Sequence, residues 1–227
     1  IEYRTRPFEV VPGATERAVG EAVEILAAAF GNRPKRGKKW GSLARHLATP
    51  YFASAMKEAR KAFDAVEVDR LRPKPLVKIT GEFYLHSVEG EPNYNMHSWL
   101  EAEGAEVYPA STAVWFDYLA RWTVQEMEAR RETTDKAALK IAAAKGLQRM
   151  LRFTYDRLRN AMGGVPHEMP PQEELKALAA PYFHHSMSGG EGDMLIGKAI
   201  WAHKHKHAHM TCELSPYSCM PNTMSVG

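Results

Sequence analysis

From residue 14 to residue 30 the apolar positions Val19, Val23, Leu26 and Phe30 recur every three or four residues. That is the period of one face of a helix, and Thr15 or a neighbour can cap its start. A second helical stretch is expected over about 50–66, and Arg72-Pro73-Lys74-Pro75 then breaks the pattern, because a residue before proline is pushed out of the helical region. A subdomain boundary is expected there.

Beyond it the period changes. Leu76-Val77-Lys78-Ile79-Thr80 is a short, partly β-branched run between prolines and Gly81, as in a buried strand. Residues 93–103 read as a helix, Gly104 as its stop, and Ala105-Glu106-Val107-Tyr108-Pro109 as a second strand. Strand, helix and strand in such a short span make a βαβ unit with parallel strands. A long helical region follows over about 114–160, broken near Glu132-Thr133-Thr134-Asp135, with Leu147, Leu151, Tyr155 and Leu158 as its apolar stripe. Short helices are expected over 172–180 and 193–205, and Met210-Thr211-Cys212-Glu213-Leu214 reads as a last strand running into a turn-rich end. The expected class is therefore α/β. A helical N-terminal subdomain (1–72) precedes a flavodoxin-like or Rossmann-like parallel-sheet domain (73–227), which carries a helical insertion at about 114–160.

The chain has 227 residues, 44% hydrophobic and 25% charged, which is ordinary globular usage and argues against disorder or a disulfide framework. A formal net charge of +3 is too small to point to nucleic acid. No apolar run approaches the ~20 residues needed to span a bilayer, and Ile1-Glu2-Tyr3-Arg4 lacks a signal-peptide core. A cytoplasmic location without membrane attachment is the expectation, and the chain reads as part of something longer. Charge is unevenly spread. Arg33, Lys35, Arg36, Lys38, Lys39 and Arg45 form a basic, acid-free stretch, either a solvated loop or a phosphate-binding one. Residues 121–160 hold ten basic against five acidic residues, either a solvated helix face or a surface for an acidic partner.

Candidate chemistry gathers late in the chain. Cys219 is bracketed by Pro216 and Pro221, whose restricted backbone can present a thiolate in fixed geometry; the alternative is a small buried thiol. Gly189-Gly190-Glu191-Gly192 lets backbone amides approach an anion at a helix start, or is a plain glycine turn. His203, His205, His207 and His209 have spacings that can hold zinc but lack the glutamate of a zinc protease. Glu82 follows the first strand and His86 lies four residues later, a possible acid/base pair or a helix cap. Because ligands collect beyond the carboxyl ends of parallel strands, Glu82, Glu191 and Cys219 are expected to converge there. No Walker loop or GxGxxG stretch occurs in the sequence.

Val77-Lys78-Ile79-Thr80-Gly81-Glu82-Phe83, Glu89-Gly90-Glu91-Pro92-Asn93-Tyr94-Asn95, Leu100-Glu101-Ala102-Glu103-Gly104-Ala105-Glu106-Val107, Ser188-Gly189-Gly190-Glu191-Gly192-Asp193-Met194 and Pro216-Tyr217-Ser218-Cys219-Met220-Pro221-Asn222-Thr223 together resemble the 2-hydroxyacyl-CoA dehydratase and acyl-CoA dehydratase activase superfamily. The likeness is to the dehydratase-like, iron-sulfur part rather than the ATPase, and runs from about Arg6 to the end. It implies an anaerobic iron-sulfur protein of an ATP-driven, low-potential electron-transfer system. By this resemblance Cys219 would ligate a 4Fe-4S or related cluster; the expected convergence at the sheet edge, read from the residues alone, would set Gly189, Gly190 and Gly192 against the cofactor and make Glu82 and Glu191 the catalytic carboxylates, tuning the field around the thiolate and relaying protons. Two cysteines cannot complete four ligands, so the others would come from elsewhere. The implied partners are an ATPase activator protein or module, through which alone ATP enters, and a further iron-sulfur subunit or a second copy of the chain. Tyr217-Ser218 stands where a Phe-Gly pair is common in the family. Two further readings stay open: a non-catalytic interaction module docking through its basic helices, and an acyl-CoA dehydratase subunit acting directly on substrate.

Overall fold

A computed structural model of the protein describes residues 1–34, 46, 49–184, 186 and 190–226. Within them the chain divides into two compact units, residues 1–73 with 153–168, and residues 74–152 with 169–227. The first division falls between Pro73 and Lys74. Residues 153–168, from the second half of the long helical region, are counted with the N-terminal unit.

The first unit is helical. It contains α1 (Glu2–Thr5), a short 3-10 turn, α2 (Ala14–Gly31) and α3 (Tyr51–Asp64). The buried positions of α2 are Thr15, Ala18 and Ala22, and those of α3 are Ala59 and Ala62. Small side chains let the two helix backbones approach closely, so the alanine faces form the contact. The helix expected from the apolar spacing is present, and of its apolar positions Val23 and Phe30 are 58% and 52% exposed. With Val19, Leu26, Met56 and Leu158, Val23 borders a cavity of about 440 Å³ inside this unit. The start of α2 is capped from outside the helix, because the Glu9 carboxylate accepts hydrogen bonds from the Gly13 and Thr15 N–H groups, each at 2.7 Å. Desolvation pushes the Glu9 carboxyl up, but these bonds and nearby Arg17 outweigh it and hold it below its ordinary value.

The second unit is α/β. Strands β1 (Leu76–Gly81), β2 (Glu106–Pro109) and β3 (Met210–Leu214) form one parallel sheet in the order β2-β1-β3. Lys78 lies opposite Tyr108 on one side and Thr211 on the other. The central strand is buried from Val77 to Gly81, as a parallel strand covered on both faces should be. Between β1 and β2 lie α4 (Phe83–Ser87) and α5 (Met96–Ala102). The expected helical insertion comprises α6 (Thr112–Ala129) and α7 (Ala137–Ala161), and the latter continues into the first unit. Then come α8 (Gln172–Ala179), α9 (Gly192–Lys204) and, after β3, α10 (Met220–Val226). The first residues of α10 lie where the sequence suggested only turns. Within the apolar stripe of α7, Leu147 is 58% exposed. No helix among the described residues is long and apolar enough to cross a membrane.

Candidate functional site at the carboxyl edge of the sheet

Several segments meet where β1 and β3 end. The Glu82 N–H donates to the Leu214 carbonyl at 2.9 Å, and the buried Asn222 amide donates to the same oxygen at 3.1 Å. Asn222 belongs to α10, whose first turn Cys219 immediately precedes, and the Cys219 thiol is 3.4 Å from the Asn222 side-chain oxygen. Gly81 makes this meeting possible. It has φ of 109°, and a β-carbon there would lie 2.1 Å from the Leu214 carbonyl oxygen, a distance no side chain tolerates.

The glycine turn reaches the same edge. Gly190 has φ of 66°, and a β-carbon on it would come within 2.5 Å of the Pro221 ring. Its carbonyl accepts a 2.6 Å hydrogen bond from the Tyr118 hydroxyl, while Arg121 and Asp193 form an almost fully buried ion pair at 2.5 Å. Residues of α6 thus fix both the turn and the start of α9. Burial, with Asp193 and Glu191 nearby, raises the Tyr118 hydroxyl above its ordinary value, so it acts as a donor rather than an acid.

The structure therefore brings the segments of Glu82, Gly190, Glu191, Gly192 and Cys219 to one edge. Gly189 and residues 35–45 of the basic stretch lie outside the described residues. The side chains are employed differently from one another. The Glu82 carboxylate accepts from the Leu85 N–H at 3.0 Å and caps α4, the role that competes with acid/base chemistry. His86 is buried, and desolvation first, then Lys198, drives its pKa down to about 3. A neutral imidazole at ordinary pH cannot be the acid of such a pair. Glu191 stands at the start of α9 without capping it, and its charge acts on Lys198.

Cys212 lies inside β3 opposite Ile79, and burial pushes its thiol up. The histidine series is divided among separate tasks. His205 hydrogen-bonds Glu174 at 2.7 Å, His207 stacks on Trp201 with centroids 4.5 Å apart, and the His209 ring accepts from the Leu76 N–H at 2.9 Å. Among the described residues no group of three or more His, Cys, Asp or Glu side chains is placed to hold a metal ion. The basic helices are also partly neutralised: Arg121, Arg130, Lys145 and Arg152 each meet a carboxylate.

The most unusual electrostatics belong to two residues that sequence reasoning missed. Lys78, in the middle of β1, and Lys198, on α9, are each 2% exposed. Burial, and then the neighbouring Lys198, pull the Lys78 ammonium down to about 7. Burial likewise brings Lys198 to about 8, with Glu191 and Glu213 pulling it back up. The Lys78 nitrogen lies 3.7 Å from the centre of the Tyr108 ring, a cation–π contact. Taking an ammonium out of water costs several kcal/mol unless it is paired, and such perturbed groups cluster at functional sites. The available signal was a lysine inside a strand whose neighbours all read as buried. Lys198 gave a matching signal within the apolar run Met194-Leu195-Ile196-Gly197-Lys198-Ala199-Ile200-Trp201.

Comparison with known protein families, with curated proteins and with solved structures finds no match.

Proposed function

We propose that the chain is an iron-sulfur module of an ATP-driven, low-potential electron-transfer system related to the 2-hydroxyacyl-CoA dehydratases and their activases, with Cys219 as a cluster ligand. The observation that carries this reading is the position of Cys219. Its half-exposed thiol follows a proline-bracketed turn at the carboxyl edge of a parallel sheet and is oriented by Asn222, where ligands of such sheets collect.

The donor set fits one corner of a cluster. Cys219 offers a thiolate, Cys212 is held within β3, and no three-ligand group occurs among the described residues. The other ligands then come from a further iron-sulfur subunit, a second copy of the chain, or additional polypeptide. A bound cluster would supply one-electron chemistry. The chain's own contribution is to position the sulfur: the Cys219 thiol donates to the Asn222 side-chain oxygen, the Asn222 amide donates to the Leu214 carbonyl, and the Gly190 turn closes on Pro221; a cluster iron would take the place of the thiol proton. ATP acts only at the separate activator, consistent with the absence of a Walker loop from the sequence.

Anaerobic purification with the natural partners tests this. Iron, sulfide and a cluster absorption band should accompany the complex, and Cys219→Ser should diminish all three. A fully active complex free of iron would overturn it.

A further inference from the structure

We propose that Lys78, Thr80, His86 and Lys198 form a buried site for an oxyanion, the phosphate or carboxylate group of a ligand. Thr80 lies two residues beyond Lys78 on β1, and so shares its face of the sheet. His86 follows on α4, and α9, which carries Lys198, lies against β1. Lys198 is close enough for its charge to depress both Lys78 and His86.

The charges around these residues are not balanced evenly. Lys198 has Glu191 and Glu213 to answer it, and Glu213 is itself engaged by the Ser225 hydroxyl. Lys78 faces the Tyr108 ring and another cation, and His86 faces Lys198, Lys78 and His97. Two neutral donors are also unsatisfied. Thr80 Oγ1 and His86 Nδ1 are buried without a hydrogen-bond partner among the described residues. A buried polar atom left unpaired calls for an explanation, and here the orphans neighbour Lys78, which meets no carboxylate among the described residues: Thr80 shares its strand face, and His86 lies within reach of its charge. One oxyanion would answer all of them, accepting from Lys78, from the Thr80 hydroxyl and from the His86 ring in its Nδ1–H tautomer. The position, at and just below the carboxyl ends of parallel strands, is where such sheets bind ligands. The inference stands independently of the iron-sulfur reading, since it uses neither cysteine.

Calorimetric titration of the purified chain at pH 8 tests it, with inorganic phosphate in one arm, acetate in another, and chloride at matched ionic strength as control. Running each arm in two buffers of different ionisation enthalpy reads the protons exchanged. Saturable one-to-one binding in the phosphate or the acetate arm, with net proton uptake and no response to chloride, supports the site. The responding arm identifies the group. Lys78→Met should weaken binding at least tenfold while leaving the circular dichroism spectrum unchanged, and Lys198→Met provides a second variant should the first fail to fold. No saturable binding in either arm, an equal response to chloride, or unchanged affinity in both variants would overturn the proposal. None of these results depends on iron content, so the two readings can fail separately.

Discussion

The Asp117 carboxylate is completely buried on α6, and Arg152 of α7 meets it with two nitrogens, Nη2 at 2.5 Å and Nε at 3.2 Å. Gln148 adds a third hydrogen bond at 2.9 Å, and Arg152 also reaches the Pro170 carbonyl at 2.8 Å. The two partners differ in exposure: Arg152 is 29% exposed and Asp117 is not exposed at all.

That asymmetry predicts unequal costs. Arg152→Met strands a buried carboxylate with only Gln148 and should destabilise the protein by about 3–5 kcal/mol. Asp117→Asn should cost clearly less, because an amide still accepts from Arg152 and the guanidinium already reaches water. Urea unfolding of both variants checks this. Equal losses would show that burial of the acid does not decide the matter.

Glu9 predicts an acid-sensitive start to α2. Its carboxyl is held below the ordinary value, so its contribution is fully present above the unfolded value near 4.5 and is lost as pH falls through the folded one. Glu9→Ala should cost about 1–2 kcal/mol at neutral pH. The difference from wild type should shrink as the pH drops below 4.5. A gap that stays constant down to pH 2 would contradict the capping role.

Gly81→Ala is expected to be among the most damaging single changes. The φ of 109° already disfavours any side chain, and the added carbon meets the Leu214 backbone at 2.1 Å. A loss of about 3 kcal/mol or more should follow, with amide exchange rising first along β3. Near-wild-type stability would mean that β1 and β3 can part there without penalty.

Lys78 should leave a mark on stability at alkaline pH. Its folded value, about 7, lies below the ordinary 10.5, so between these limits the unfolded chain binds more protons and stability rises with pH. Over the full window the effect is on the order of 4–5 kcal/mol. Lys78→Met should be more stable than wild type at pH 7, and its stability curve should be flatter between pH 7 and 10.5. An unchanged alkaline slope would show that the ammonium is not desolvated.

Much of the fold was legible where a period was long enough to read. The helices Ala14–Gly31, Tyr51–Asp64, Thr112–Ala129 and Ala137–Ala161 follow from three- and four-residue spacing, and β3 spans Met210–Leu214 as expected. Phe83–Ser87 and Met220–Val226 were not anticipated, since five and seven residues are too few to establish a face. Pro221, next to the first residue of α10, was a usable start signal. Periodicity identifies an apolar face but not what covers it, and Val23 and Phe30 belong to such a face while remaining exposed. At the site, the sequence order placed the Glu82, Glu191 and Cys219 segments together through the rule for parallel sheets. Lys78 and Lys198 escaped because a lysine is ordinarily assigned to the surface, and only the packing around it shows otherwise.

The strand order also bears on how the chain acquires its shape. The centre strand has its first partner soon after it is made, but its second is far downstream, with Leu76 and His209 separated by 133 residues. During synthesis one edge of β1 therefore stays open until the ribosome has delivered the last strand. Closing so long a loop is slow and favours late, all-at-once completion, and an unpaired apolar edge invites pairing with another chain in the meantime. Nascent chains stalled before residue 210 should therefore engage chaperones, and release should coincide with the emergence of β3.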